Sequence, residues 1–252
     1  MQRITVMGLF NDAVANVRDN ITEALRFSGV IFILSVLVTS ALNVMLIGEI
    51  AAPPIDPQNP DIPPEVLTAM LVNAIILFVI FAWVAIEWHR FALANVRLPS
   101  ILPTWETKRV FSYVGNMILL GIMIAMVVAF PFGIIIAIMT SIGLAEATAF
   151  LPFVMLWVAY YVMFRAGLVL PAAALDAPMK LSDSMRLTGD FAGALWGLAG
   201  LQLAVSFFGI LITSLLPTQS VLGVVVSGAV NWFLVLLSAS LLSSVYKASQ
   251  KE

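Results

Sequence analysis

From residue 28 to residue 245 the chain alternates long, almost uninterrupted apolar runs with short polar links. The runs fall near 28–50, 66–90, 113–139, 148–170, 190–215 and 221–245. Each supplies the roughly 20 residues needed to cross a hydrocarbon core about 30 Å thick. Apolar on every face, they suit helices surrounded by lipid, where a helix satisfies its own backbone polar groups. Residues 1–27 follow another pattern. Val6, Phe10, Val14, Val17, Ile21 and Leu25 recur at three- and four-residue steps, with Asn11, Asp12, Asn16, Arg18, Asp19, Asn20 and Glu23 mostly between them. That spacing predicts an amphipathic helix in the membrane interface rather than a signal peptide, whose basic start would lead straight into an apolar run. The expected fold is all-α: one integral membrane domain over residues 1–252, a bundle of six transmembrane helices. An interfacial helix at 1–27 and amphipathic link segments complete it.

The links refine this picture. The first, "AAPPIDPQNPDIPPE", holds six prolines and is expected to be an exposed, extended loop, because proline cannot continue a helix. The third-to-fourth and fifth-to-sixth links are short, which makes those spans antiparallel neighbours. Pro131 and Pro152 fall inside apolar runs, where each is expected to kink its helix.

Charge sets orientation. Arg3, Arg18, Arg26, Arg90, Arg97, Lys108, Arg109, Arg165, Lys180, Arg186, Lys247 and Lys251 all fall in alternate links or at the termini. The opposite links carry only acids: Glu49, Asp56, Asp61, Glu65 and Glu146. The positive-inside rule then puts both termini in the cytoplasm.

The basic links share a grammar of Arg at a span end, then Pro, then a basic amphipathic stretch. The second-to-third link has Arg90, Pro99 and "TWETKRVFSYVG", and the fourth-to-fifth has Arg165, Pro171 and "MKLSDSMRLTGD". The N-terminal "NVRDNITEALRFSG" matches the latter half. Two spans per unit would make parallel internal repeats, although any positive-inside protein concentrates Arg and Pro in such places. Small residues suggest helix contacts. Gly121, Ala125, Ala129, Gly133 and Ala137 recur every fourth position, as do Gly189, Gly193 and Gly197. Such stripes permit close backbone approach, within the chain, on each other or in a homodimer.

Composition narrows the chemistry. The chain is 62% hydrophobic and 10% charged, against roughly 25% charged in soluble domains. It has no cysteine and one histidine, so a thiolate site or a His-rich metal site within one chain is excluded, and no cofactor is expected. Phosphate-loop, zinc-pair and nucleophile-elbow motifs are absent. Asp176, Asp183 and Asp190 recur every seven residues beside Lys180 and Arg186, as in a solvated, salt-bridged helix. Sparse basic residues at the membrane edge give nucleic-acid binding no support. Two polar sets remain as candidate sites. Glu87, His89, Arg90 and Arg165 sit near the cytoplasmic span ends, where Glu87 and Arg90 share a helical face and Arg165 could join them. Asn43, Asn73, Asn116, Gln202 and Asn231 lie within the runs, and their convergence on one cavity would favour a transporter.

The segments "EWHRFALANV" and "FRAGLVLPAAALDAPMKLSDSMRLTGDFAGALWG" resemble the bacterial inner-membrane proteins of the YciC-like and glycerophosphodiester-phosphodiesterase membrane-domain type. Arg165, Pro171, Ala172, Ser184, Leu187, Thr188, Gly189 and Trp196 carry the likeness over roughly residues 75–200, with Met185 where an aromatic is common. The resemblance implies six spans in a bacterial inner membrane and no reaction. The function expected from the sequence is therefore non-enzymatic: assembly, partner or lipid contact. Membrane lipids, other membrane proteins or a second copy of the chain are the candidate partners. The alternative is a transporter or channel for a small or amphiphilic substrate.

Overall fold

The computed structural model describes residues 4–48, 62–96, 105–217 and 220–250, and these are helical with no strand among them. Arg3, Glu49, Arg97, Pro99, Lys251 and the Pro-rich stretch through Asp61 lie outside the described residues. Six helices are long and apolar enough to cross a membrane: Val30–Ile47, Pro64–Ala94, Thr107–Ser141, Glu146–Ala166, Ala192–Ser214 and Val221–Ser249. This is the build of a multi-pass membrane protein.

The chain opens with α1 (Val6–Asp19), capped by Thr5, whose Oγ1 accepts from the Gly8 N–H at 3.1 Å. α1 packs along the bundle with Leu9, Ala13 and Val17 buried, while Asn11, Asp12, Arg18 and Asp19 stay exposed. The expected apolar face does not continue to Ile21 and Leu25, which are exposed. Asn20 ends the helix, its Nδ2 donating to the Asn16 carbonyl at 2.9 Å, and redirects the chain. α2 (Ile21–Ala24) and a π-helical turn (Leu25–Gly29) then lead into α3 (Val30–Ile47).

α4 (Pro64–Ala94) is about 46 Å long at 1.5 Å per residue. α5 (Thr107–Ile124) and α6 (Phe130–Ser141) form one span joined by a π-helical turn, Ala125–Ala129. Pro131 has no N–H for an ordinary helical bond. The preceding wide turn absorbs the mismatch, with the Phe130 N–H reaching the Ala125 carbonyl. Pro152 kinks nothing: it lies in the first turn of α7 (Leu151–Ala166), where the missing N–H has no helical partner to lose.

The fourth span ends at Ala166, before the expected 170. Gly167 lies so close to the Met163 carbonyl that a Cβ would collide with it, and Leu242 closes in from α11. α8 (Val169–Ala174), Pro171 included, is wholly buried. α9 (Leu181–Leu187) returns to pack on α7 before α10 (Ala192–Ser214) and α11 (Val221–Ser249) complete the bundle. α11 touches α1, α3, α4, α8 and α10, and Ala239–Val245 is buried on every side. Its serines keep it slim enough for that position and supply bonds to its neighbours.

The small-residue stripe of the third span does not pack within the chain. Gly121, Ala125, Ala129, Gly133 and Ala137 all face outward, and a Cβ on Gly121 or Gly133 would meet nothing within 4 Å. Val128, off the stripe, is buried instead. The second stripe does not meet the first. Gly197 lies under Val6 of α1, Gly189 lies against the Arg186 carbonyl of its own turn, and Gly193 faces open space.

Candidate functional site

Arg165, the Glu87–Arg90 pair and His89 fall into three separate environments rather than one cluster. Arg165 closes the turn that follows α7. Its Nε donates to Thr188 Oγ1 at 2.9 Å, Nη1 to the Tyr161 hydroxyl at 3.1 Å and Nη2 to the Met185 carbonyl at 2.8 Å. Ser184 Oγ donates to the Arg165 carbonyl at 2.8 Å and accepts from the Leu168 N–H at 3.2 Å. Trp196 stacks on Tyr161 with ring centroids 4.0 Å apart. Arg165, Ser184, Thr188 and Trp196, four of the residues that carry the family resemblance, thus staple α9 and the start of α10 onto α7.

Glu87 pairs with Arg90 at 3.5 Å, three residues along α4. The larger ion pair at this end joins links 67 residues apart. Arg109 Nη2 donates to Asp176 Oδ2 at 2.5 Å and Nε lies 3.2 Å from the same oxygen, while Nη1 approaches Glu106 at 2.8 Å. Asp176 holds a left-handed backbone, φ 57°, just past α8. The hydrogen bonds from Arg109 hold its carboxyl below the usual range. Asp176 therefore ties α8 to α5 rather than joining the sevenfold pattern of Asp183 and Asp190.

His89 faces the interior. It is 0% exposed, and its Nδ1 lies 2.8 Å from Ser243 Oγ. Ser243 Oγ also lies 2.9 Å from the Ala239 carbonyl, so either it or Nδ1 can be the donor in the contact with His89. The other ring nitrogen, Nε2, is buried without a hydrogen-bond partner. His89 forms part of the wall of a cavity of about 300 Å³.

Five elements besides α4 shape this cavity. α4 gives Phe81, Ala85 and His89, α5 gives Tyr113 and Met117, and α7 gives Tyr160, Met163 and Phe164. α8 adds Leu170, α10 adds Gln202 and Ser206, and α11 adds Asn231, Leu234, Val235, Ser238, Ala239 and Leu242. The walls are mostly apolar with one hydrogen-bonded line. Gln202 Nε2 lies 3.1 Å from Ser238 Oγ and 3.4 Å from Ser206 Oγ, which is 2.9 Å from the Tyr160 hydroxyl. Gln202 is 2% exposed and its Oε1, like His89 Nε2, has no partner.

A second cavity, about 370 Å³, lies between α3, α4 and α11. Ser35, Thr39, Ser40, Asn43, Asn73, Ser227 and Asn231 contribute its polar groups. Asn73 Nδ2 donates to Asn43 Oδ1 at 2.7 Å. Phe81 and Asn231 belong to both cavities. Asn231 is ten residues into α11, about 15 Å from its start and so near mid-depth of a hydrocarbon core about 30 Å thick. Phe81 stacks on Phe32 at a centroid distance of 5.7 Å beside that junction.

Four of the five intramembrane amides therefore converge on two adjoining cavities. Asn116 does not: it is half-buried on α5, lines neither cavity, and its Nδ2 donates to the Ser112 carbonyl at 2.9 Å. Sequence reasoning missed Tyr160, Ser206, Ser238 and Ser243. The run "SASLLSS", residues 238–244, was the available signal, four hydroxyls in seven otherwise apolar positions. No family model matches this chain, and no curated protein or solved structure matches it either.

Proposed function

We propose that this chain is a non-enzymatic membrane protein that binds an amphiphilic molecule within the bilayer and carries it across. The observation behind this reading is the junction at Phe81 and Asn231. There an apolar cavity with a polar line meets a second cavity that extends toward the other end of the bundle. Polar groups inside a membrane are costly, and those that face cavities rather than helix contacts mark pathways. The assembly reading would rest on the outward-facing stripe of the third span alone.

A hydrolytic reading would rest on the contact between Ser243 and His89. Ser243 does not line the cavity, so no substrate held there would meet its hydroxyl.

We place the protein in a bacterial inner membrane, as the YciC-like resemblance implies, with both termini cytoplasmic, as the basic links require. The first cavity then opens in the cytoplasmic half and the second in the outer half. α1 lies on the cytoplasmic flank with its exposed polar face at the interface. We read the repeated link grammar as shared composition, since Arg165 staples α9 while Arg90 pairs within α4.

The test is transbilayer movement in proteoliposomes. A single-chain amphiphile carrying a fluorophore on its polar end is loaded in both leaflets, and dithionite is added outside. Protein-bearing vesicles should lose the inner-leaflet signal as well, and Asn231→Leu should slow that loss. Bleaching confined to the outer-leaflet share, as in protein-free vesicles, contradicts the proposal.

A further inference from the structure

The two cavities follow one furrow along the bundle. On α4 their lining residues recur every fourth position: Asn73 and Leu77 in the second, Phe81 in both, Ala85 and His89 in the first. On α11 they run from Val224 to Leu242 at helical three- and four-residue steps, with Asn231 in both. Each set occupies one side of its helix, so the shared residues mark the middle of a single track. That track has an open side. Asn231 is exposed although it lies ten residues into α11, and Asn73, Leu77 and Phe81 on α4 are only half-buried. α6, the second half of the third span, has no buried residue and lines neither cavity, so it leaves that side uncovered.

The cavities are also too small for a whole amphiphile. About 300 Å³ and 370 Å³ hold on the order of ten to twelve groups of roughly 30 Å³ each. A polar head fills much of one, and a membrane-length chain has more carbons than fit in the remainder. Resting on the carrying role proposed above, we infer that the furrow carries only the polar head while the apolar chain stays outside in the lipid. Its substrates are then amphiphiles defined by their heads, with one chain or two and of any length. Such a chain passes from lipid to lipid and needs no pocket in the protein. The head meets a polar group at each stage: Ser238 in the first cavity, Asn231 at the junction, Ser227 and Asn73 in the second. These groups offset part of the hydration that the head gives up.

The experiment reconstitutes the whole protein in liposomes with three analogues that share one fluorophore-bearing head. They carry one short chain, one long chain and two long chains. Dithionite added outside reports the loss of inner-leaflet signal for each, and the rate in protein-free vesicles is subtracted. Wild-type rates should agree within about threefold across the series, since every chain leaves lipid only for lipid. A site that encloses the chain would be at least about tenfold slower with the long chain and would exclude the double one, because overpacking a fixed cavity is costly. That result overturns the inference and leaves the carrying role standing. Asn231→Leu, a change at an exposed position, should slow all three analogues by a similar factor. Slowing of the short-chain analogue alone also overturns the inference. Movement of none of the three, or movement that Asn231→Leu leaves unchanged throughout, overturns the carrying role and the inference together. The wild-type series separates head-only passage from whole-molecule passage whether or not the variant folds.

Discussion

Among the described residues, Arg165 is held by two hydroxyls and a carbonyl, and its partners do not overlap with those of Glu87. Arg165→Ala should cost on the order of 2–3 kcal/mol, because it leaves the Met185 carbonyl and Thr188 hydroxyl short of a charged donor. Glu87→Gln in the same chain should not restore it. The two effects should add within roughly 0.5 kcal/mol, as for sites without shared partners. Thermal unfolding in detergent of both single variants and the double measures this, and rescue by the double would mean that the two networks communicate. Asp176 gives a pH test. Its folded pKa is depressed by Arg109, so its stabilisation is present at neutral pH and lost as pH falls through the folded value, below about 4. Asp176→Asn, which tolerates the left-handed backbone, should melt below the wild type at pH 7. The deficit is modest, since the Asp176 side chain is 60% exposed. It should shrink as the pH falls below about 4, and a gap that stays constant there contradicts the assignment. Neither pairing was legible beforehand. The Arg109–Asp176 bridge spans 67 residues, and nothing in either link points to the other.

At the level of elements, hydropathy was enough to place every span, because lipid imposes a length and an apolar composition on any crossing helix. It could not say which face of each helix points inward. In water an apolar stripe marks the core, but a leucine facing lipid and a leucine facing a helix look alike in sequence. The stripe from Gly121 to Ala137 faces outward rather than into the bundle, while Gly209, outside both stripes, is tightly packed. A Cβ there would lie 3.1 Å from both Leu234 and Val230. Gly209→Leu should therefore cost roughly 1–3 kcal/mol by overpacking, and Gly133→Leu should be near neutral. Melting temperatures of the two variants in one detergent check this, and a larger loss at Gly133 would show that the third span packs in solution as its stripe first suggested. Pro152 misled: an apolar run conceals where a helix begins, so a first-turn proline read as an internal one.

Across the whole molecule, the absence of cysteine makes topology directly measurable. Ile62→Cys should react with an impermeant maleimide added to intact cells, and Gln250→Cys should react only after the membrane is opened. Labelling of both from outside would refute the proposed orientation. The cavities reach one another only because α4 and α11 run side by side, bringing Phe81 and Asn231, 150 positions apart, to one place. The five amides were legible as candidates, but their convergence depended on that packing. The most direct measurement is of what the purified protein retains. Wild type and Ala239→Phe, whose ring projects into the first cavity, are taken through the same mild detergent, and bound lipids are identified by native mass spectrometry. The wild type should hold a single defined amphiphile near one per chain, and Ala239→Phe, folded and equally monodisperse, should have lost it. Equal retention by both proteins, or a mixture of bulk lipids with no defined species in the wild type, would contradict the claim that this cavity is the site.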